Sequence, residues 1–112
     1  LHPYFAEDDD VVKFGVSERL VGYDEVEEGL RRQTRRTEDW NVESRDLRVT
    51  ERGFYAWFSD SVRMEWNDTR QGERYEMDTR WSGTLERRES RGEGETKEWV
   101  FVGMHVSVPA EL

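Results

Sequence analysis

With two histidines, His2 and His105, and no cysteine, this sequence leaves few residues able to move a proton near neutral pH. His105 stands in the run Trp99-Val-Phe-Val-Gly-Met-His105-Val-Ser107, where β alternation puts Trp99, Phe101, His105 and Ser107 on one face. An imidazole facing a pocket could exchange a proton with a ligand, and Ser107 could donate a hydrogen bond to it. A core histidine bonded to a neighbouring strand explains the same residues. Because no further residue is placed to orient His105, the pair does not make a hydrolase triad.

Among the carboxylates, Asp60 shares strand parity with Phe58 and Val62, so it is the better candidate for a general base poised in an apolar pocket. Asp78 alternates with the polar side of its strand. A solvated or salt-bridged role is the simpler account of either residue. Trp57, Trp66, Tyr75, Met77 and Trp81, with Phe101, would make an aromatic and thioether lining suited to a flat apolar molecule, or would simply fill the core. Arg80 could clamp a carboxylate or pair with a nearby Glu. Without cysteine, and with so few imidazoles, no metal site is expected, and no cofactor motif is visible. Asp8-Asp9-Asp10 lacks the alternating ligands and distant Glu of a calcium loop and reads as a solvated turn.

The elements that must position these residues fit one domain of 112 residues. The chain is 34% hydrophobic and 38% charged, a balance near that of disordered chains, but five Trp, five Phe and four Tyr supply the apolar area of a core. A net charge of -9 argues against nucleic acid as a partner, because phosphate binding depends on clustered cations. No apolar run is long enough to span a bilayer, and cysteine-free composition fits a reducing cytoplasm.

Val11 to Val16 reads as a first strand. From Gly22 to Thr37 the signals are helical, with Asp24 as N-cap, Glu27/Arg31 and Glu28/Arg32 four apart, and arginines towards the end. Gly29 in the buried stripe of Val26 and Leu30 implies that the helix lies close on its neighbour. Long strands follow: Asn41 to Glu51, Phe54 to Trp66, and Glu73 to Arg88 after a turn at Asn67 to Gly72. The last of these is too long to stay flat in a small domain, and Gly83 marks a bulge or kink. A polar loop, Glu89 to Glu98, leads into Trp99 to Pro109, whose two apolar faces imply cover on both sides.

Gly22 opening the helix, Ala56-Trp57-Phe58 after a Gly turn, Arg80-x-Ser82-x-Thr84-Leu85-x-Arg87 and the closing Trp99-x-Phe101-x-x-x-His105-x-Ser107-x-Pro109 resemble the SnoaL-like domains. These belong to the nuclear transport factor 2-like superfamily, with ketosteroid isomerase and scytalone dehydratase. The resemblance runs from about Phe5 to Pro109 and implies an α+β fold. Its features are a cone, or half-barrel, of strongly bent antiparallel sheet, a helix packed on it, and a homodimer formed through the sheet's outer face. Family members carry N-terminal helices that are largely missing here, which implies a domain truncated at its N-terminus.

Three functions fit. The domain binds a small hydrophobic or aromatic molecule in the cone; or it is a cofactor-free isomerase, dehydratase or cyclase with His105 or Asp60 as general base; or it is a dimerisation module whose cone is filled by its own side chains.

Overall fold

The computed structural model describes residues 1–89 and 97–111. Most of the loop expected between Glu89 and Glu98 lies outside the described residues. A 3-10 turn, His2–Tyr4, precedes a hairpin of β1 (Val12–Phe14) and β2 (Arg19–Val21), then α1 (Tyr23–Arg36), β3 (Thr37–Ser44), β4 (Arg48–Arg52), β5 (Tyr55–Asp68), β6 (Arg74–Glu89) and β7 (Lys97–Ser107). One curled, unclosed sheet runs in the order β2-β1-β7-β6-β5-β3, with β4 also on β5. The α+β cone with a single helix on it is therefore present. The sheet is mixed, however, since β1 runs parallel to β7 and every other pair is antiparallel.

Local physics accounts for each departure from the expected elements. The helix starts at Tyr23, ahead of the Asp24 cap, because Gly22 adopts a φ of 86° and closes the N-terminus through its backbone. Its N–H donates to Val11 O at 2.7 Å, and Glu25 reaches back to accept the Val21 N–H at 3.2 Å. Glu27 pairs with Arg31 at 3.5 Å as expected, whereas Glu28 pairs with Arg35 rather than Arg32. The single strand expected from Asn41 to Glu51 breaks into β3 and β4, because Asp60 of β5 captures the connection. Its carboxylate accepts the Ser44 hydroxyl at 2.6 Å and the Asp46 N–H at 3.1 Å. After Val16 the chain turns, with Gly15 N–H donating to Glu18 O at 3.0 Å, and folds back as the additional strand β2.

The core lies where helix, hairpin and β7 meet: Phe5, Ala6, Val11, Leu20, Val26, Leu30, Val100, Met104 and Val106. Gly29 permits the close approach, since a Cβ there would stand 2.6 Å from Leu20 Cδ1. Gly83 plays the same part within the sheet, where a Cβ would run into the Gly103 carbonyl oxygen and sit 2.9 Å from Phe58. The bulge expected at Gly83 falls one rung further on and on the partner strand: Thr84 pairs with Gly103 but Leu85 with Phe101, so Val102 is the extra residue. That bulge reverses the facing of β7. Phe101 on one side of it and Met104 and Val106 on the other turn into the cone, and His105 and Ser107 face outward. The two faces read along this strand thus exchange at the bulge, and Val100, on the opposite side from Phe101, is buried as well. Among the described residues no helix is long and apolar enough to cross a membrane.

Candidate ligand cavity

The concave face of the sheet and the second half of α1 bound an open cavity of about 920 Å³. Strand alternation builds its floor. Met64 and Trp66 point inward from β5, Met77 and Trp81 from β6, and Met104 and Val106 from β7, with Met64 directly opposite Met77 and Trp81 opposite Val106. All three methionines of the chain line this space. A volume of this size falls within the range of small-molecule sites, and thioethers with aromatic faces adapt to apolar ligands of varied shape.

Two devices hold the aromatic wall. Trp40, placed by a bulge at which Asp39 takes a φ of 53°, stacks on Trp66 at 4.8 Å, and Trp66 stacks on Tyr75 at 5.6 Å. The Trp40 indole N–H donates to Thr37 Oγ1 at 2.7 Å. Deeper in, Thr79 is only 2% exposed; its hydroxyl donates to Val62 O at 2.7 Å and accepts the Trp81 indole N–H at 2.9 Å. Both indoles therefore turn apolar surface to the cavity with their N–H groups already satisfied.

One charged side chain is buried in the wall. Lys13 of β1 lies opposite Met104, is 6% exposed, and its ammonium meets Glu18 at 3.2 Å. The helix supplies the cavity's cationic rim, including Arg32 and Arg36, with Gln33 extending the stripe of Val26, Gly29 and Leu30 over the opening.

The sequence-derived candidates divide between the two faces. Trp66, Met77 and Trp81 line the cavity. Tyr75 lies on the same face but at its edge, with its hydroxyl donating to Glu73 at 3.1 Å. Phe101 is a core residue, between Phe5 at 5.3 Å and Phe58 at 5.7 Å. Three candidates do not face the cavity. Trp57 has outward parity on β5, is 49% exposed, and carries the Arg52 guanidinium 5.7 Å above its ring. His105 and Ser107 stand on the outer face because of the Val102 bulge, His105 against the Phe14 ring at 5.5 Å. Across the sheet they line a shallow polar hollow with Ser59, Asp60, Arg80, Trp81 and Ser82, so His105, Ser107 and Asp60 come together there. Asp60 has inward parity yet spends both carboxylate oxygens on the β3–β4 connection.

Reading by alternation did not reach Lys13, Trp40, Met64 or Met104 as cavity residues. Met64 was within reach, since it shares parity with Trp66. Lys13 was not, because nothing local marks a lysine whose neighbours are about ninety residues away on β7. Asp8, from the acidic triplet, forms a two-pronged ion pair with Arg88 at 2.9 and 2.5 Å, and these hydrogen bonds hold its carboxyl below the usual carboxylate range. No group of side chains suited to holding a metal occurs among the described residues.

Residues 1–111 match the family model of the SnoaL-like domain. The chain belongs to that family. Among solved structures, a nuclear transport factor 2-like superfamily protein from Salmonella enterica serovar Typhimurium superposes with a TM-score of 0.79 at 14% identity, over 96% of this chain and 73% of that one. A ketosteroid isomerase-like protein from Erwinia carotovora atroseptica gives 0.72 at 16% identity, over 98% and 79%. An uncharacterised protein with a cystatin-like fold from Caulobacter vibrioides gives 0.69 at 16%, over 97% and 76%. At these identities the likeness establishes the fold alone. No curated protein matches the sequence.

Proposed function

We propose that this SnoaL-like domain binds a small apolar or aromatic molecule in the cone. The observation that carries the reading is the open cavity of about 920 Å³ floored by Met64, Met77, Met104, Trp66 and Trp81, with the indole N–H of Trp81 tied back into the sheet. A cone serving only as a dimerisation module would be filled by these side chains. The reading as an isomerase, dehydratase or cyclase with His105 or Asp60 as base would place the chemistry outside this cavity, since both residues line the shallow polar hollow instead.

Native mass spectrometry of the purified domain tests the proposal, because a retained molecule appears as a mass above that of the chain. Titration with neutral phenylnaphthylamine supplies a second readout, in which binding enhances probe emission and changes that of Trp66 and Trp81. Val106→Trp, which fills the floor, should abolish binding; undiminished binding would place the site elsewhere.

We further propose a homodimer through the outer sheet face. Phe14, Tyr55 and Trp57 stand 41%, 53% and 49% exposed there, and burying rings of this size drives association. Sedimentation at micromolar concentration should return twice the chain mass, and a monomer there would remove this part of the proposal.

A further inference from the structure

The charge around the cavity runs against that of the chain. The chain carries a net charge of -9, yet the lining includes five cations, Lys13 and four arginines of α1, against one carboxylate, Glu18. Glu18 pairs with Lys13, and Glu27 and Glu28 pair with Arg31 and Arg35. That leaves Arg32 and Arg36 without a carboxylate partner among the described residues. They stand four apart on one flank of the helix, beside the opening that Gln33 overhangs. A helix C-terminus carries about half a negative charge, so one arginine offsets it and a second is in excess. The floor beneath offers apolar rings and thioethers and no free charge.

Resting on the cavity reading above, we propose that the ligand is an anionic amphiphile: an apolar or aromatic body seated on the methionine and tryptophan floor, with a carboxylate or sulfonate held at the mouth by Arg32 and Arg36. An acidic protein repels anions at large, so a local cationic mouth both selects the charged ligand and orients it, head outward and body inward. Guanidinium groups suit this role, since each presents paired donors to a planar or tetrahedral oxyanion.

The test compares two probes with the same ring system, anilinonaphthalene sulfonate and neutral phenylnaphthylamine, on the wild-type domain and on Arg32→Gln/Arg36→Gln. Both arginines are solvent-exposed helical positions, where glutamine is a comparable helix former. The wild type should bind the sulfonate more tightly than the neutral probe. In the double variant the sulfonate should weaken by roughly tenfold, about threefold for each exposed ionic contact, with the neutral probe unchanged, which also shows the site intact. Sulfonate affinity that survives the double substitution, or a wild type that prefers the neutral probe, overturns this inference and leaves the cavity reading standing. Failure of both probes to bind the wild type overturns both.

Discussion

Thr79 is the residue on which the cavity wall turns, and replacing its hydroxyl separates two accounts of why it is buried. Thr79→Val keeps the volume and removes the hydroxyl that donates to Val62 O at 2.7 Å and accepts the Trp81 N–H at 2.9 Å. With each hydrogen bond worth about 1 kcal/mol, the valine variant should lose about 2 kcal/mol. Thr79→Ser keeps the oxygen and removes one methyl, a loss of about 1 kcal/mol from apolar burial. If hydrogen bonding dominates, valine is the more damaging change; if packing dominates, serine is. Urea denaturation followed by tryptophan fluorescence reads the order directly, and a 1 kcal/mol change shifts the melting temperature by roughly 4–8 °C in a domain near this size. Freed from its acceptor, the Trp81 indole should also turn in the cavity, so Thr79→Val should weaken phenylnaphthylamine binding and Thr79→Ser should not. A valine variant more stable than the serine variant would refute the reasoning.

Gly83→Ala should destabilise the domain by about 2 kcal/mol, because the new Cβ meets the Gly103 carbonyl oxygen and Phe58 inside a sheet that has no room to move; an unchanged urea midpoint would contradict the close approach. Asp8→Asn should cost about 1 kcal/mol at neutral pH, a figure discounted for solvent screening because Asp8 and Arg88 side chains are 35% and 32% exposed. Arg88 lowers the folded-state pKa of Asp8, so this contribution is complete well above the ordinary value of 3.8 and disappears as pH falls through the lower folded value. Wild type and Asp8→Asn should therefore differ in thermal stability at neutral pH and converge in strong acid; a constant gap would show that the carboxylate's charge is not the cause. His105→Ala should leave probe affinity within about twofold, since His105 lies on the outer face, and a larger loss would mean that it faces the ligand.

The elements of this SnoaL-like domain were legible wherever a local rule governs. The helix announced itself through Gly22, its charge order and the stripe of Val26, Gly29 and Leu30, and it folds there. The alternation of Tyr75, Met77, Thr79 and Trp81 defined one face of β6, because successive side chains on a strand must point to opposite sides. The resemblance carried by the closing His105-x-Ser107-x-Pro109 led to the right family although the histidine itself lies outside the cone. Less of the cavity was legible. Three of the expected residues, Trp66, Met77 and Trp81, line it; Trp57, Asp60, Tyr75, Phe101, His105 and Ser107 do not.

What the sequence determined on its own is therefore the set of faces: which side chains travel together along each strand and helix, a consequence of periods of 2 and 3.6 built into the backbone. Which face became the inside was decided only in three dimensions. Alternation is symmetric with respect to the two sides of a sheet, and one extra residue at Val102 is enough to exchange them along β7. Lys13 could be buried only because the hairpin brings Glu18 back to it while β7 lays Met104 alongside, and Asp60 became a clasp only because β3 and β4 share one partner strand. Contacts between residues distant in the chain form when the sheet curls, and no local pattern encodes them.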